Sequence, residues 1–232
     1  MPIQNKQQWF ETYLGQRLFL CEQDYFDQAV TDVFGYNAIQ IGCPQHDFLR
    51  TNRMPFKLCV GVETGSALQA TPDFLPIESA STDLILLPHT LEFNLNPHQI
   101  LRETYRVLVP EGRVVICGFN PYSFWGVRRL FNSGINNFPW DGNFISLPRL
   151  KDWLTLLDFE MTAGRLCFYV PPFNQEKWLR RFNFMEAAGD RWWPIYGGIY
   201  FLQAIKRVHG MRIIKPKWNG KLAVKKRIAQ VT

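Results

Sequence analysis

No uncharged apolar stretch in this 232-residue chain exceeds 14 residues; the two of that length are Val114–Val127 and Trp192–Ile205. A membrane-spanning helix needs about 20, so no membrane span is expected and both stretches read as buried strands with their flanks. Lys6 and Glu11 interrupt the beginning, and no apolar core of a secretion signal follows them. The cysteines (Cys21, Cys43, Cys59, Cys117, Cys167) form no Cys-x-x-Cys pair. Cys59, Cys117 and Cys167 fall in predicted strands, where cysteine behaves as a small hydrophobe. The expectation is a reduced, cytoplasmic protein. The histidines (His46, His89, His98, His209) make no His-x-x-x-His or His-Glu-x-x-His pair, so their spacing gives no zinc site and no metal is expected. Repeats and low-complexity tracts are missing too.

What is present suits a packed α/β domain. Hydrophobic residues make up 47% of the chain, enough for a sizeable core. The length fits one domain, taken as residues 1–210, with N-terminal helices over 7–34 and a helical insert at about 171–190. The net charge of +6 is uneven: from Lys206 onward there are nine Lys or Arg and no acid, while the preceding residues sum to −3. Residues 211–232 therefore read as a basic tail. It is either an anion-binding arm, for RNA or an acidic lipid surface, or a solvated terminus.

Phe74–Pro121 is the most informative block. Asp83–Leu87 is a short apolar run between Ser-Thr and Pro-His, which fits a strand buried on both faces. Asn96 can cap a helix with Pro97 in its first turn. Ile100, Leu101, Thr104 and Leu108 share one face of that helix, and Glu103 can pair with Arg106 on the other. Val109-Pro110-Glu111-Gly112 ends it, and Arg113–Cys117 is the next strand. Strand, crossover helix and strand make a right-handed parallel unit.

Elsewhere, strands are expected at Tyr36–Ile41, Phe56–Val62, Thr71–Ile77, Phe159–Val170 and within Ile195–Arg207. Helices are expected at Pro121–Phe131 and from Pro148, capped by Ser146, and a helical insert at Gln175–Ala188. Alternating strands and helices define a doubly wound, mostly parallel sheet with helices on both faces. Ligands in such sheets sit beyond the carboxyl ends of the strands.

The wording of the block, with Leu75-Pro76, the Asp83 strand, the Arg102–Leu108 helix and the Pro110-Glu111-Gly112-Arg113 turn, resembles the class I S-adenosylmethionine-dependent methyltransferases of type 11. The resemblance covers about Tyr36–Pro121. It implies a seven-stranded Rossmann-like sheet, methyl transfer from S-adenosylmethionine and an acceptor that is a small molecule. It also implies a cofactor loop over Gly42, Cys43 and Pro44, although Gln40 stands at the usual acidic position. Pro44 and His46 replace two of three glycines. Glu63, followed by Thr64, is implied as the ribose ligand, or else is a solvated strand-end acid. Thr71, Asp73 and Phe74 fall where adenine is met, Phe74 being alternatively core. The loop Pro88-His89-Thr90-Leu91-Glu92-Phe93 would line cofactor and acceptor; His89 is either a general base or a structural loop histidine, and Glu92 stands similarly.

Asn120–Trp125 and Asp190–Pro194 are aromatic segments that either cover an apolar acceptor or pack the insert on the sheet. Two other readings stay open. One is a catalytically inactive binding or scaffold protein with a remodelled loop. The other is an RNA-directed methyltransferase using the basic tail.

Overall fold

The computed structural model describes residues 6–132, 138–172 and 184–208. Its elements run α1 (Lys6–Phe10), α2 (Tyr13–Thr31), β1 (Asn37–Ile41), β2 (Phe56–Gly61), β3 (Leu68–Gln69), β4 (Thr82–Pro88), α3 (Pro97–Val107) and β5 (Leu108–Phe119). There follow α4 (Phe124–Asn132), α5 (Leu147–Leu156), β6 (Phe159–Cys167), α6 (Phe184–Trp192), a 3-10 turn at Pro194–Tyr196 and β7 (Ile199–Lys206). The strands form one seven-stranded sheet in the order β3-β2-β1-β4-β5-β7-β6. Neighbours up to β5 are parallel, whereas β7 runs antiparallel to both β5 and β6.

Both faces of the central strands are buried, which is why they read as continuous apolar runs. Ala38, Leu84, Leu86, Val115, Cys117, Phe119 and Phe201 pack on one face with Leu14, Leu18 and Phe26 of α2. Ile39, Ile41, Ile85, Leu87, Val114, Ile116 and Leu202 pack on the other with Ile100 and Leu101 of α3 and Leu150 and Leu154 of α5. Thr12 caps α2, its hydroxyl accepting from the Gly15 N–H at 3.1 Å. Asp83 fixes the start of β1 by accepting from the N–H groups of Tyr36 and Asn37 at 2.8 and 2.9 Å.

Several expected boundaries move. The third strand is Leu68–Gln69, not Thr71–Ile77. Thr71–Phe74 is instead a turn closed by Phe74 N–H to Thr71 O, since Pro72 and Pro76 have no N–H to give a ladder. Between β1 and β2 the chain makes only turns. Val109–Gly112 does not leave the sheet; it forms an irregularity inside β5, where Glu111 has φ +66°. Asn96 and Ser146 precede α3 and α5 without a side-chain capping bond. The first part of the expected insert helix and the tail beyond Val208 lie outside the described residues. Among the described residues no helix is long and apolar enough to cross a membrane.

Candidate functional site at the carboxyl edge of the sheet

The strand order reverses between β1 and β4, and that crevice is where ligands of such sheets sit. Gly42, with φ +87°, and Cys43, with φ +50°, turn the chain across the end of β1. A side chain on Gly42 would approach the Thr90 hydroxyl to 3.2 Å in a conformation L residues rarely adopt. Gln40 holds this loop from below. Its amide nitrogen donates to the carbonyls of Gly42, Cys43 and His46 at 3.0, 3.0 and 2.8 Å, and its oxygen accepts from Phe48 N–H at 3.0 Å. An acid could accept but not donate, so an amide here is a structural requirement of this loop. His46 stacks on Phe19 with ring centroids 4.0 Å apart, and burial pushes its pKa down. Pro44 is half-buried above the loop.

Glu63 lies just past the end of β2. One carboxylate oxygen is 3.3 Å from Lys6 Nζ and the other accepts from Gln45 at 3.1 Å. Lys6 also faces the Cys43 thiol. Burial opposes its charge, but Cys43 and Glu63 outweigh that and raise its pKa. Lys6 was not singled out in the sequence, because nothing in a lone N-terminal lysine signals that α1 folds back over the loop. Thr64 and Thr71 are exposed and Asp73 is half-exposed. Phe74 is 67% exposed, so its core reading is corrected: the turn at Thr71–Phe74 carries the ring outward.

His89 is placed differently from a base facing an acceptor. It has φ +49° and is fully buried, its ring stacked on Phe119 at 4.2 Å. Nε2 is 2.7 Å from a Glu22 carboxylate oxygen and Nδ1 is 3.4 Å from Glu92 Oε2. Cys117 Sγ is 3.6 Å from Nε2. Glu92 also accepts from Phe119 N–H. Neither ring nitrogen faces open space, which corrects the general-base reading in favour of a structural one. Burial lowers the imidazole's proton affinity and pushes the Cys117 thiol far up. At the imidazole, Cys117 first and then the Glu22 and Glu92 carboxylates oppose the burial, and His89 stands well above the ordinary histidine range.

Glu22 was missed in sequence. The signal was available: buried Leu14, Leu18, Glu22, Phe26 and Val30 recur every fourth residue on α2, and an acid in the middle of an apolar stripe calls for a partner.

The two aromatic segments do converge. Tyr122, Phe124 and Val127 from one side and Trp193 and Tyr196 from the other line a cavity of about 380 Å³, closed by Tyr169. Trp125, by contrast, is core.

Residues 49–116 match the family model of a methyltransferase domain. The chain is 44% identical over 109 residues to the uncharacterized protein YafS of Escherichia coli (strain K12); the match covers 47% of this chain and 45% of YafS, less than half of that relative's length. The fold is similar to an S-adenosylmethionine-dependent methyltransferase of Thermotoga maritima, with TM-score 0.65, 19% identity, and 87% of this chain and 94% of that one covered. It is also similar to geranyl diphosphate C-methyltransferase of Streptomyces coelicolor A3(2), with TM-score 0.57, 14% identity, and 83% and 80% covered. The chain therefore has the fold of the S-adenosylmethionine-dependent methyltransferases, and its residues 49–116 carry the sequence likeness to a methyltransferase domain.

Proposed function

We propose that the protein binds S-adenosylmethionine at the ends of β1, β2 and β4 and transfers its methyl group to an apolar small molecule. The observation that carries this reading is Glu63, a carboxylate at the end of β2 beside the left-handed Gly42–Cys43 turn. An acid at this point of a Rossmann-like sheet suits the two ribose hydroxyls. The donor set fits the cofactor on one condition: Lys6 and Gln45 now hold both Glu63 oxygens, so at least one must give way to the ribose.

When bound, the cofactor supplies an electrophilic sulfonium methyl group. Glu63 holds the ribose, with Thr64 beside it. Gly42, Cys43 and Pro44 set the backbone height of the methionine end, and Lys6 offers a cation for its carboxylate. Phe74 would present its exposed ring to adenine, with Thr71 and Asp73 of the same turn as its polar partners. Pro88 and His89 close the floor. The aromatic cavity beside α4 takes the acceptor, and alignment of donor and acceptor rather than a dedicated base provides the rate.

The test is calorimetric titration of ligand-free protein with S-adenosylmethionine and its demethylated product. Micromolar binding that falls at least tenfold in folded Glu63→Ala is expected. If neither compound binds, a non-catalytic scaffold built on this fold is the better reading, and the Lys6–Glu63 pair is then the observation that favours it.

A further inference from the structure

Four buried polar side chains meet behind the floor of the crevice, and the cofactor reading uses only His89 among them, as part of that floor. Glu22 comes from α2, His89 and Glu92 from the loop after β4, and Cys117 from β5. One ligand atom from each of Glu22, His89 and Cys117 lies within 4.8 Å of the others. Three atoms of the group have no hydrogen-bond partner: Glu22 Oε2, His89 Nδ1 and Glu92 Oε2. All belong to side chains no more than 1% exposed. Orphaned polar atoms in a dry interior are costly, and native proteins seldom leave three together.

We propose that Glu22, His89 and Cys117 bind a zinc-type divalent cation, with Glu92 as the outer partner of His89. A single cation accounts for all three orphans. Bound at His89 Nε2, it fixes the ring proton on Nδ1, which then donates to Glu92 Oε2 across the present 3.4 Å; this is the carboxylate–histidine–metal arrangement of many zinc sites. Both oxygens of Glu22 become ligands or near-ligands. On coordination the thiol of Cys117 and Nε2 of His89 each lose their proton to solvent.

The spacing agrees. Nitrogen and sulfur bound at about 2.0 and 2.3 Å in a tetrahedral site lie about 3.5 Å apart, and Nε2 and Sγ are 3.6 Å apart. Only Glu22 must withdraw, since its oxygen at 2.7 Å is at hydrogen-bonding rather than co-ligand distance. The mixed nitrogen, oxygen and sulfur donor set favours zinc over magnesium or calcium. Such an ion would lock α2 onto the ends of β4 and β5, immediately behind the cofactor loop. The sequence conceals it because the ligands lie on three separate elements.

Full-length protein, stripped with chelator and verified as folded by circular dichroism, is titrated with Co²⁺ and Zn²⁺. One Co²⁺ per chain with a thiolate-to-cobalt charge-transfer band, displaced by Zn²⁺, is expected. Cys117→Ser should abolish the band and weaken Zn²⁺ binding at least tenfold, and Glu92→Gln should weaken it by about tenfold or more. The double variant Cys21→Ser/Cys167→Ser controls for the neighbouring thiols, whose sulfurs are 3.4 Å apart, and should keep the band. Absence of stoichiometric binding by folded, stripped wild type overturns the proposal, as does a band that survives Cys117→Ser or disappears in the double variant. Where Cys117→Ser does not fold, Glu22→Gln decides: tenfold weaker Zn²⁺ binding supports the site and unchanged affinity overturns it.

Discussion

Gln40 carries more of the loop than any single residue of the expected glycine pattern. Seen only in sequence, it is a lost acid. In the structure it is 2% exposed and stitches three carbonyls that would otherwise face one another. Restoring the family's acid should therefore harm the protein. Gln40→Glu brings a buried carboxylate against three carbonyl oxygens, and a loss of about 2–5 kcal/mol in urea unfolding is expected. Unchanged stability would mean that the loop is held by something else. The neighbouring residues show how far single positions were legible. The place of Glu63, just past the end of the second strand, was readable; its ribose role belongs to the proposal. Phe74 and His89 were not, because an aromatic in a proline-flanked turn and a loop histidine each suit burial and exposure equally. Their fate depends on φ values and on α2, which the local sequence does not encode.

Among the elements, α3 was legible almost residue for residue: its apolar face, its proline start and its Glu103–Arg106 pair all appear. Its outward work was not. Arg106 donates to the carbonyls of Leu75 and Ile77, each at 2.9 Å, and Glu103 accepts from Leu75 N–H at 3.1 Å. The pair thus fastens the segment after β3, the one whose prolines keep it out of the sheet, to a rigid helix. The Arg106 guanidinium hydrogen-bonded to Glu103 holds its carboxyl below the ordinary 4.5. A depressed carboxylate stabilises the fold above its unfolded pKa, and that contribution is lost as pH falls through the folded value. Wild type should therefore exceed Glu103→Gln in stability at pH 7, with the gap closing below about pH 4.5. Chemical denaturation at stepped pH checks this, and a gap independent of pH would refute it. Between β1 and β2 the chain crosses over in turns alone rather than through a helix. Gln40 and the paired left-handed residues occupy the turn where such a helix would begin.

At the scale of the whole molecule, the antiparallel β7 divides labour between the two edges of the sheet. Because β7 runs against β5, its last residues reach the amino edge of the parallel strands, opposite the crevice. There Lys206 Nζ donates to the carbonyls of Tyr105 and Leu108 at 2.7 Å each, satisfying the C-terminal end of α3 where a cation is favoured. Arg207 pairs with Glu111 and Glu160 on the same edge. These two residues opened the basic run in the sequence, yet they tie strands together, so the tail's charge begins later than the charge count suggested. Charge in a sequence reveals its sign but not its partner, and only the direction of β7 supplies that. Lys206→Met would leave two carbonyls without their donor, costing about 1–3 kcal/mol, or about 3–10 °C in melting midpoint. Cofactor affinity should stay within twofold, since nothing at the carboxyl edge moves. Glu63→Ala should show the reverse: binding at least tenfold weaker with stability nearly kept. Scanning calorimetry beside ligand titration on both variants separates the edges, and a Lys206→Met protein that loses cofactor without losing stability would show that the two are coupled through the sheet.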